Sequence, residues 1–519
     1  MLVPGLASLW KEDMHATWRN WRSRLHTRGS PMRLALKLFP FAILGFTLAS
    51  CSGAPGGGCV VNCSTGGSVY VVLTATPPSP TLPTSALSIQ AFTATITGLT
   101  LNPSGGGSPV AINLNSTAYI AEFNRVTSDS TLLASGVSIP SGTYNQLTIT
   151  FSAPRVTFCT QANAGVPGCA NATLASITGS PGNVTASTNL IVADNVPTGI
   201  ALNVNLGNAL TQTGQTVTGV DLTVANTFSA SVLPRAASAT DLAATQLSHL
   251  DDIMGLVTGA TSSSVTIQTS TRGSITANTN SSTAFACPAQ NSTCVQTNQV
   301  AVMDAILNSD GTITARFFQP IVDSGDLIEG VVTSVPNTVN NTFTLVATDR
   351  AFAPSNSVLN GALNIGDQVV VTLGGTVQPF VIVDKGLGPT LPANSFDGSN
   401  SVSSIHPGMT VLFPVTAYTA QSGTTPGATT TVSFALRFSR ISTTMAIATI
   451  PDFSINATAL PPFFGIATNP QVRTTPVRLS VDGAPTITAI PVGNTISTSA
   501  LYLGPTPSPA FAAQSVRAH

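Results

Sequence analysis

Ile200-Ala201-Leu202-Asn203-Val204-Asn205-Leu206 places apolar residues at every second position, with small or polar residues between them. Successive side chains of a β-strand point to opposite faces, so this stretch reads as a half-buried strand. Leu147, Ile149 and Phe151 repeat the pattern around Thr148 and Thr150. Asn102-Pro103-Ser104-Gly105-Gly106-Gly107 and Pro140-Ser141-Gly142 separate such runs and supply the backbone angles of tight reversals. The expectation is an all-β chain: an N-terminal β-sandwich, then several small β-barrel or β-sandwich modules. One short helix is expected within 236–248, in a linker at 236–250, capped by Thr240 or Ser238, with Leu242, Leu247 and Leu250 as a partial apolar face.

The chain has 519 residues, which suggests about three domains. Charged residues make up only 8% against 43% hydrophobic, where soluble domains carry about 25% charged. Ser, Thr, Asn and Gln fill the polar positions instead, and 43 Gly with 36 Pro favour short strands and turns. Seven of the 19 cations precede Cys51; the 12 that follow face 18 acids, a balance of 12 − 18 = −6. A nucleic-acid partner is therefore not expected, because phosphate binding needs clustered Lys and Arg.

Met32-Arg33-Leu34-Ala35-Leu36-Lys37 is cationic, and the run from Leu38 to Ala49 is apolar but too short to span a bilayer. Together they read as a secretory signal. The run closes on Leu48-Ala49-Ser50-Cys51, which resembles the lipobox of bacterial lipoproteins; the resemblance implies a lipid on Cys51 and a membrane partner through it. Ser52 in place of an aspartate then points to the outer membrane. Residues 1–50 form the signal segment, with Met32 as a candidate true start because Met1 to Pro31 holds all three Trp and five basic residues. Residues 51–68 are a Gly/Ser-rich tether.

Six further cysteines fall into local couples: Cys59/Cys63, Cys159/Cys169 and Cys287/Cys294. Outside the cytosol this suggests disulfides. Zinc at Cys59 and Cys63 is disfavoured, since no His lies near them.

The expected sandwich occupies 69–235. It is similar to the family catalogued as domain of unknown function 4382, through Val71-Val72-Leu73-Thr74-Ala75-Thr76-Pro77, Ile96-Thr97-Gly98-Leu99-Thr100-Leu101 and Ile139-Pro140-Ser141-Gly142-Thr143-Tyr144-Asn145-Gln146-Leu147. An acidic residue expected in the first of these motifs is absent, Ala75 and Thr76 preceding Pro77. Farther on, Ile253-Met254-Gly255-Leu256-Val257-Thr258 recurs as Ile328-Glu329-Gly330-Val331-Val332-Thr333, with an echo at Phe464-Gly465-Ile466-Ala467-Thr468. Gly366-Asp367-Gln368-Val369-Val370-Val371 likewise matches Gly408-Met409-Thr410-Val411-Leu412-Phe413. These repeats resemble a second lipoprotein-associated family, domain of unknown function 5666, which implies small barrel-like units at 251–327, 328–400 and 401–504. Val432, Phe434, Leu436 and Phe438 alternate with Ser433, Ala435 and Arg437 as a further strand. Few contacts are expected across the boundaries near 236–250 and 323–329, and the Pro/Ala-rich tail 505–519 is expected to be unstructured.

No catalytic set, metal site or cofactor motif stands out, so no enzyme activity is expected. After Cys51 the only histidines are His249, His406 and His519. His249, before Leu250-Asp251-Asp252, reads as a solvated boundary residue, and His406 belongs to a turn with Pro407-Gly408. Asp323, Asp326 and Glu329 form the densest acidic group, a weak calcium candidate. Asn308-Ser309-Asp310-Gly311 reads as a hairpin turn. The reading is a lipid-anchored, non-enzymatic structural or interaction array of the cell envelope, whose partners would be envelope proteins or glycans. The alternative is a carbohydrate-binding or adhesive surface protein. Against it, Tyr70, Tyr119, Tyr144, Tyr418 and Tyr502 are scattered, no Trp follows Cys51, and the Phe residues sit at strand positions suited to core packing.

Overall fold

The computed structural model describes residues 66–519 apart from 80–87, 160–166, 170–173, 215, 234–241, 243–244, 288, 323–324, 354–355, 360, 375–380, 383–401, 403–404, 421–424, 431–434, 475–478 and 506–507. Cys51 and the Cys59/Cys63 couple lie outside these residues. The fold is nearly all β.

Gly67–Thr76 is central to the first sheet. It pairs in parallel with Thr198–Asn205 and antiparallel with Thr131–Ile139, while Phe228–Val232 joins the free side of Thr198–Asn205. The facing sheet runs Leu174–Thr178, Arg155–Cys159, Ile89–Pro103, Gly142–Phe151 and Gly182–Val192. Val71, Leu73, Ile200 and Leu202 meet Phe92, Leu99, Leu147 and Ile149 between the sheets, which makes a β-sandwich. The apolar run Val71-Val72-Leu73 breaks the simple alternation for a reason. The other face of this sheet is buried too, where Val72, Leu132 and Ala201 pack against Leu250, Ile253 and Met303 of the next module.

Three modules of one topology follow. In the first, Gln246–Ala260, Ser264–Gln268 and Ser274–Asn278 form a meander, Val300–Asn308 and Ile313–Val322 extend its other side, and Asn278 pairs with Thr314 in parallel to close a barrel. The last module repeats this with Ser439–Ile447, Asp452–Ile455, Gln471–Thr474, Thr495–Tyr502 and Phe511–Ala518, again closed by a parallel pairing. Between them, Asp326–Val332, Thr342–Ala351, Gln368–Leu373, Thr410–Val415 and Ala435–Arg437 keep the same order, with no such closing pair among the described residues. Asp326–Val332 pairs with Thr410–Val415, so one sheet spans the 400/401 division and the modules change between Arg437 and Ser439.

One hydrogen-bond pattern marks the equivalence. Val257, Val332 and Met445 donate N–H to the carbonyls of Gln299, Met409 and Asn494, and accept from the N–H of Asn298, Gly408 and Gly493 at 2.8 Å in each case. Those three donors all have positive φ, at 70°, 95° and 89°, which Gly and Asn tolerate best. Ile253, Ile328 and Ile441 are thereby matched, four residues before Val257, Val332 and Met445. The glycines two residues after Ile253 and Ile328 have a packing cause: a Cβ on Gly255 or Gly330 would stand 2.2 Å from the Gln268 carbonyl oxygen or 2.5 Å from that of Val346.

Several expectations are corrected. The echo at Phe464–Thr468 does not begin a module, because Pro462–Phe464 is a single 3-10 turn and the matched first strand is Ser439–Ile447. The Gly366 and Gly408 elements feed two strands of one sheet. The helix expected within 236–248 falls largely outside the described residues, and Gln246, Leu247, Ser248, His249 and Leu250 open a strand, since Leu247 and Leu250 join the core beneath the sandwich. Of the strand expected through Val432 and Phe434, only Ala435–Arg437 is described as one. The tail 505–519 is not unstructured: Phe511–Ala518 is an interior strand of the last barrel, with Phe511, Ala512, Ala513 and Val516 buried.

Candidate functional site: a buried ionic hub

The single helical turn Arg125–Ser128 projects from the sandwich between Tyr119–Glu122 and Thr131–Ile139. Glu122 fixes its start by accepting the N–H groups of Asn124 and Arg125, together with that of Phe92. Burial raises the Glu122 pKa despite these donors. The turn delivers Arg125 and Asp129 to the place where all the modules meet.

There Arg125 bonds Glu329 at 2.6 Å and also Asp349, both of the middle module, and Asp349 receives Arg272 of the preceding one at 2.8 Å. Arg437 spans the modules, with Glu329 and Asp252 each at 3.0 Å. Arg440, of the last module, pairs with Asp252 and with Asp129 of the sandwich at 2.7 Å. Four arginines thus meet four carboxylates, a neutral set whose side chains are at most 12% exposed. Burial by itself would lower the Arg125 pKa, but Glu329, Asp349 and Asp252 outweigh it and raise it. Arg517 adds an outer contact, donating to the carbonyls of Val126, Thr127 and Asp129 while Nε bonds Asp482 at 2.8 Å.

Apolar contacts accompany the hub. Met254, Val300 and Val302 pack on Leu327, Leu412 and Ala435, and the cores of the last two modules run together through Met409, Leu460 and Phe464. Cys159 and Cys169 are disulfide-bonded, and the loop they close reaches this shared core: Cys169 N–H donates to the Thr333 carbonyl and Gly168 N–H to that of Phe463. Cys287 and Cys294 form a second disulfide, in an exposed loop. The low-contact boundaries expected near 236–250 and 323–329 are thus crossed by ion pairs, apolar packing and hydrogen bonds, and residues 63–519 form one compact unit.

The residues weighed for chemistry have structural partners. His249 is buried, not solvated, and its Nδ1 accepts from Arg316 at 2.6 Å, which removes that nitrogen as a base. It lines a small cleft at the junction of three modules together with Ser128, Asp129, Asp251, Asp482 and Arg517. His406 stands in the turn before Gly408. His519 Nε2 lies 2.9 Å from Ser497 Oγ, but Ser497 is fully buried and closed to a substrate. The acidic group at 323–329 does not converge: Asp326 accepts from Ala353 N–H, Ser357 Oγ and Leu359 N–H, Glu329 enters the hub, and Asp323 lies outside the described residues. Asn308-Ser309-Asp310-Gly311 is a hairpin turn, Asp310 accepting from Thr312. Among the described residues no group of three His, Cys, Asp or Glu is placed to hold a metal ion.

One buried cation stands apart. Arg350 is 8% exposed and lies over the Phe352 ring, 5.1 Å from its centroid, and its Nε and Nη1 have no hydrogen-bond partner among the described residues. Burial pushes its pKa down.

Sequence reading missed the hub. Its one signal was Arg437, a lone charge in an apolar strand of a chain nearly without charge; alternation placed it outward, yet it is 2% exposed. No family model matches the chain, and no curated protein matches it.

Proposed function

We propose that the protein is a lipid-anchored, non-enzymatic component of the cell envelope, a rigid array of β-modules that holds surfaces at fixed spacing for envelope proteins or glycans. The observation that carries this reading is the hub. In a chain with only 11 Arg after Cys51, six of them join one module to another: Arg125, Arg272, Arg437, Arg440 and Arg517 at the hub, and Arg155 through Asp367 beside it. Charge used in this way fixes relative orientation, because a guanidinium accepts carboxylates only in defined directions. The address in the sequence, Leu48-Ala49-Ser50-Cys51 after an apolar run, supports the anchor and the outer membrane.

Metabolic labelling with a fatty-acid analogue tests the anchor. Wild-type protein takes up label and a Cys51→Ala variant does not; label retained by the variant would refute the lipid site. Small-angle scattering tests rigidity, with one compact envelope expected for the chain from Cys51 onward and a distribution of module spacings as the contrary result.

A further inference from the structure

The described chain enters the sandwich at Gly66 and Gly67, and two loops grip it there. Gly66 N–H donates to Asp194 Oδ1 at 2.9 Å, and Asn195 N–H donates to the Gly66 carbonyl at 2.8 Å. Gly67 pairs with Ile139, and a Cβ on it would stand 2.5 Å from the Ala193 carbonyl oxygen and 2.7 Å from that of Val196. Gly142 pairs with Val192, so the strand ends and loops of 139–143 and 191–197 share this end of the sandwich.

These loops expose apolar side chains. Ile191 is 65% and Val196 47% exposed, and Pro140 and Ala193 are exposed beside them. Neither 137–144 nor 190–198 contains Lys or Arg, and the one acid there, Asp194, is tied to Gly66. From this placement we infer that the end of the sandwich around Ile191 and Val196 rests on the lipid bilayer, its apolar side chains entering the interface.

The inference rests on the anchor reading, and chain length carries it further. Fifteen peptide steps separate Cys51 from Gly66, and a Gly/Ser-rich segment of that length spans about 20 Å on average. The 457-residue unit from Cys63 to His519 (519 − 63 + 1) has a radius of gyration of about 22 Å by compact-domain scaling. The tether is thus short beside the body it holds, so the entry end spends its time at the membrane. An apolar occupant suits the patch, because the acidic balance after Cys51 offers anionic headgroups no attraction.

The test exploits the absence of Trp after Cys51. Ile191→Trp, Val196→Trp and, in another exposed loop, Val339→Trp each place a single fluorophore in the lipidated protein, reconstituted in phosphatidylcholine vesicles with or without brominated chains. Brominated lipid is expected to quench Trp at 191 and 196 at least twofold more than Trp at 339. Equal quenching at the three sites in protein that floats with the vesicles overturns the patch and leaves the anchor standing. Protein that fails to float overturns both.

Discussion

Arg517 Nη1 donates to the backbone carbonyl of Asp129 at 2.9 Å, joining residues 388 apart in the sequence. The same nitrogen reaches the Val126 and Thr127 carbonyls, so one side chain of the final strand serves the buried C-terminal carbonyls of the helical turn that carries Arg125. Arg517→Met would leave three carbonyls and Asp482 without this donor. Removing one partner of a buried ionic contact costs about 3–5 kcal/mol, and that loss is expected in urea unfolding. An unchanged midpoint would show the contact to be dispensable.

Glu329 receives both Arg125 and Arg437. Glu329→Gln keeps the shape but removes the charge between them, and a destabilisation of similar size, about 3–5 kcal/mol, is expected. The substitution should also soften the junctions: new limited-proteolysis sites between modules are the expected readout, and a wild-type digestion pattern the contrary one.

Arg350 gives the opposite sign. Its buried Nε and Nη1 lack partners among the described residues, and an unsatisfied buried donor costs about 1–3 kcal/mol. Arg350→Met keeps the packing on Phe352 and is expected to raise stability by about that amount in the same unfolding assay. A fall in stability would mean that the cation–π contact outweighs desolvation.

Burial raises the Tyr119 pKa to about 12 and that of Tyr502 higher still. A phenol in the unfolded chain ionises near pH 10, so below that pH neither state loses the proton and stability is whole. Between pH 10 and about 12 the unfolded chain releases it while the folded chain retains it, so stability falls by about 1.4 kcal/mol per pH unit for each such group. Absorbance at 295 nm should show these two tyrosines ionising only as the chain unfolds. A single step near pH 10 for all five would contradict their burial.

The Cys159–Cys169 link closes a loop of about ten residues, worth about 2–3 kcal/mol in the chain-entropy account. A Cys159→Ser, Cys169→Ser double variant is expected to lose at least that, because the loop also docks through Gly168 and Cys169 on the shared core of the last two modules. A smaller loss would show that docking survives without the bond.

Strand identity was legible because period-two alternation is local: Leu147, Ile149 and Phe151 are buried as the pattern requires. Alternation failed wherever both faces of a strand are covered. Leu247 and Leu250 read as one side of a helix, although the strand they occupy packs beneath the sandwich sheet. Phe511 to Val516 read as a loose tail because Ala and Gln give no periodic signal, and only the neighbouring strands of the barrel supply their partners. The hub was hidden for a related reason. Its arginines are scattered along the chain, only Arg437 and Arg440 standing close together, and each is answered by at least one carboxylate of another module.

The matched first strands have one more consequence. Around Ile253, Ile328 and Ile441 the preceding residues are Asp252, Leu327 and Arg440, and the following ones Met254, Glu329 and Ser442. The hydrogen-bond pattern that follows these positions is common to the three modules, while the side chains are not. A repeat seated in the wrong berth would set arginine against arginine or bury a carboxylate alone. The differences therefore act as a key that fixes the order of assembly, allowing near-identical folds to coexist in one chain without exchanging places.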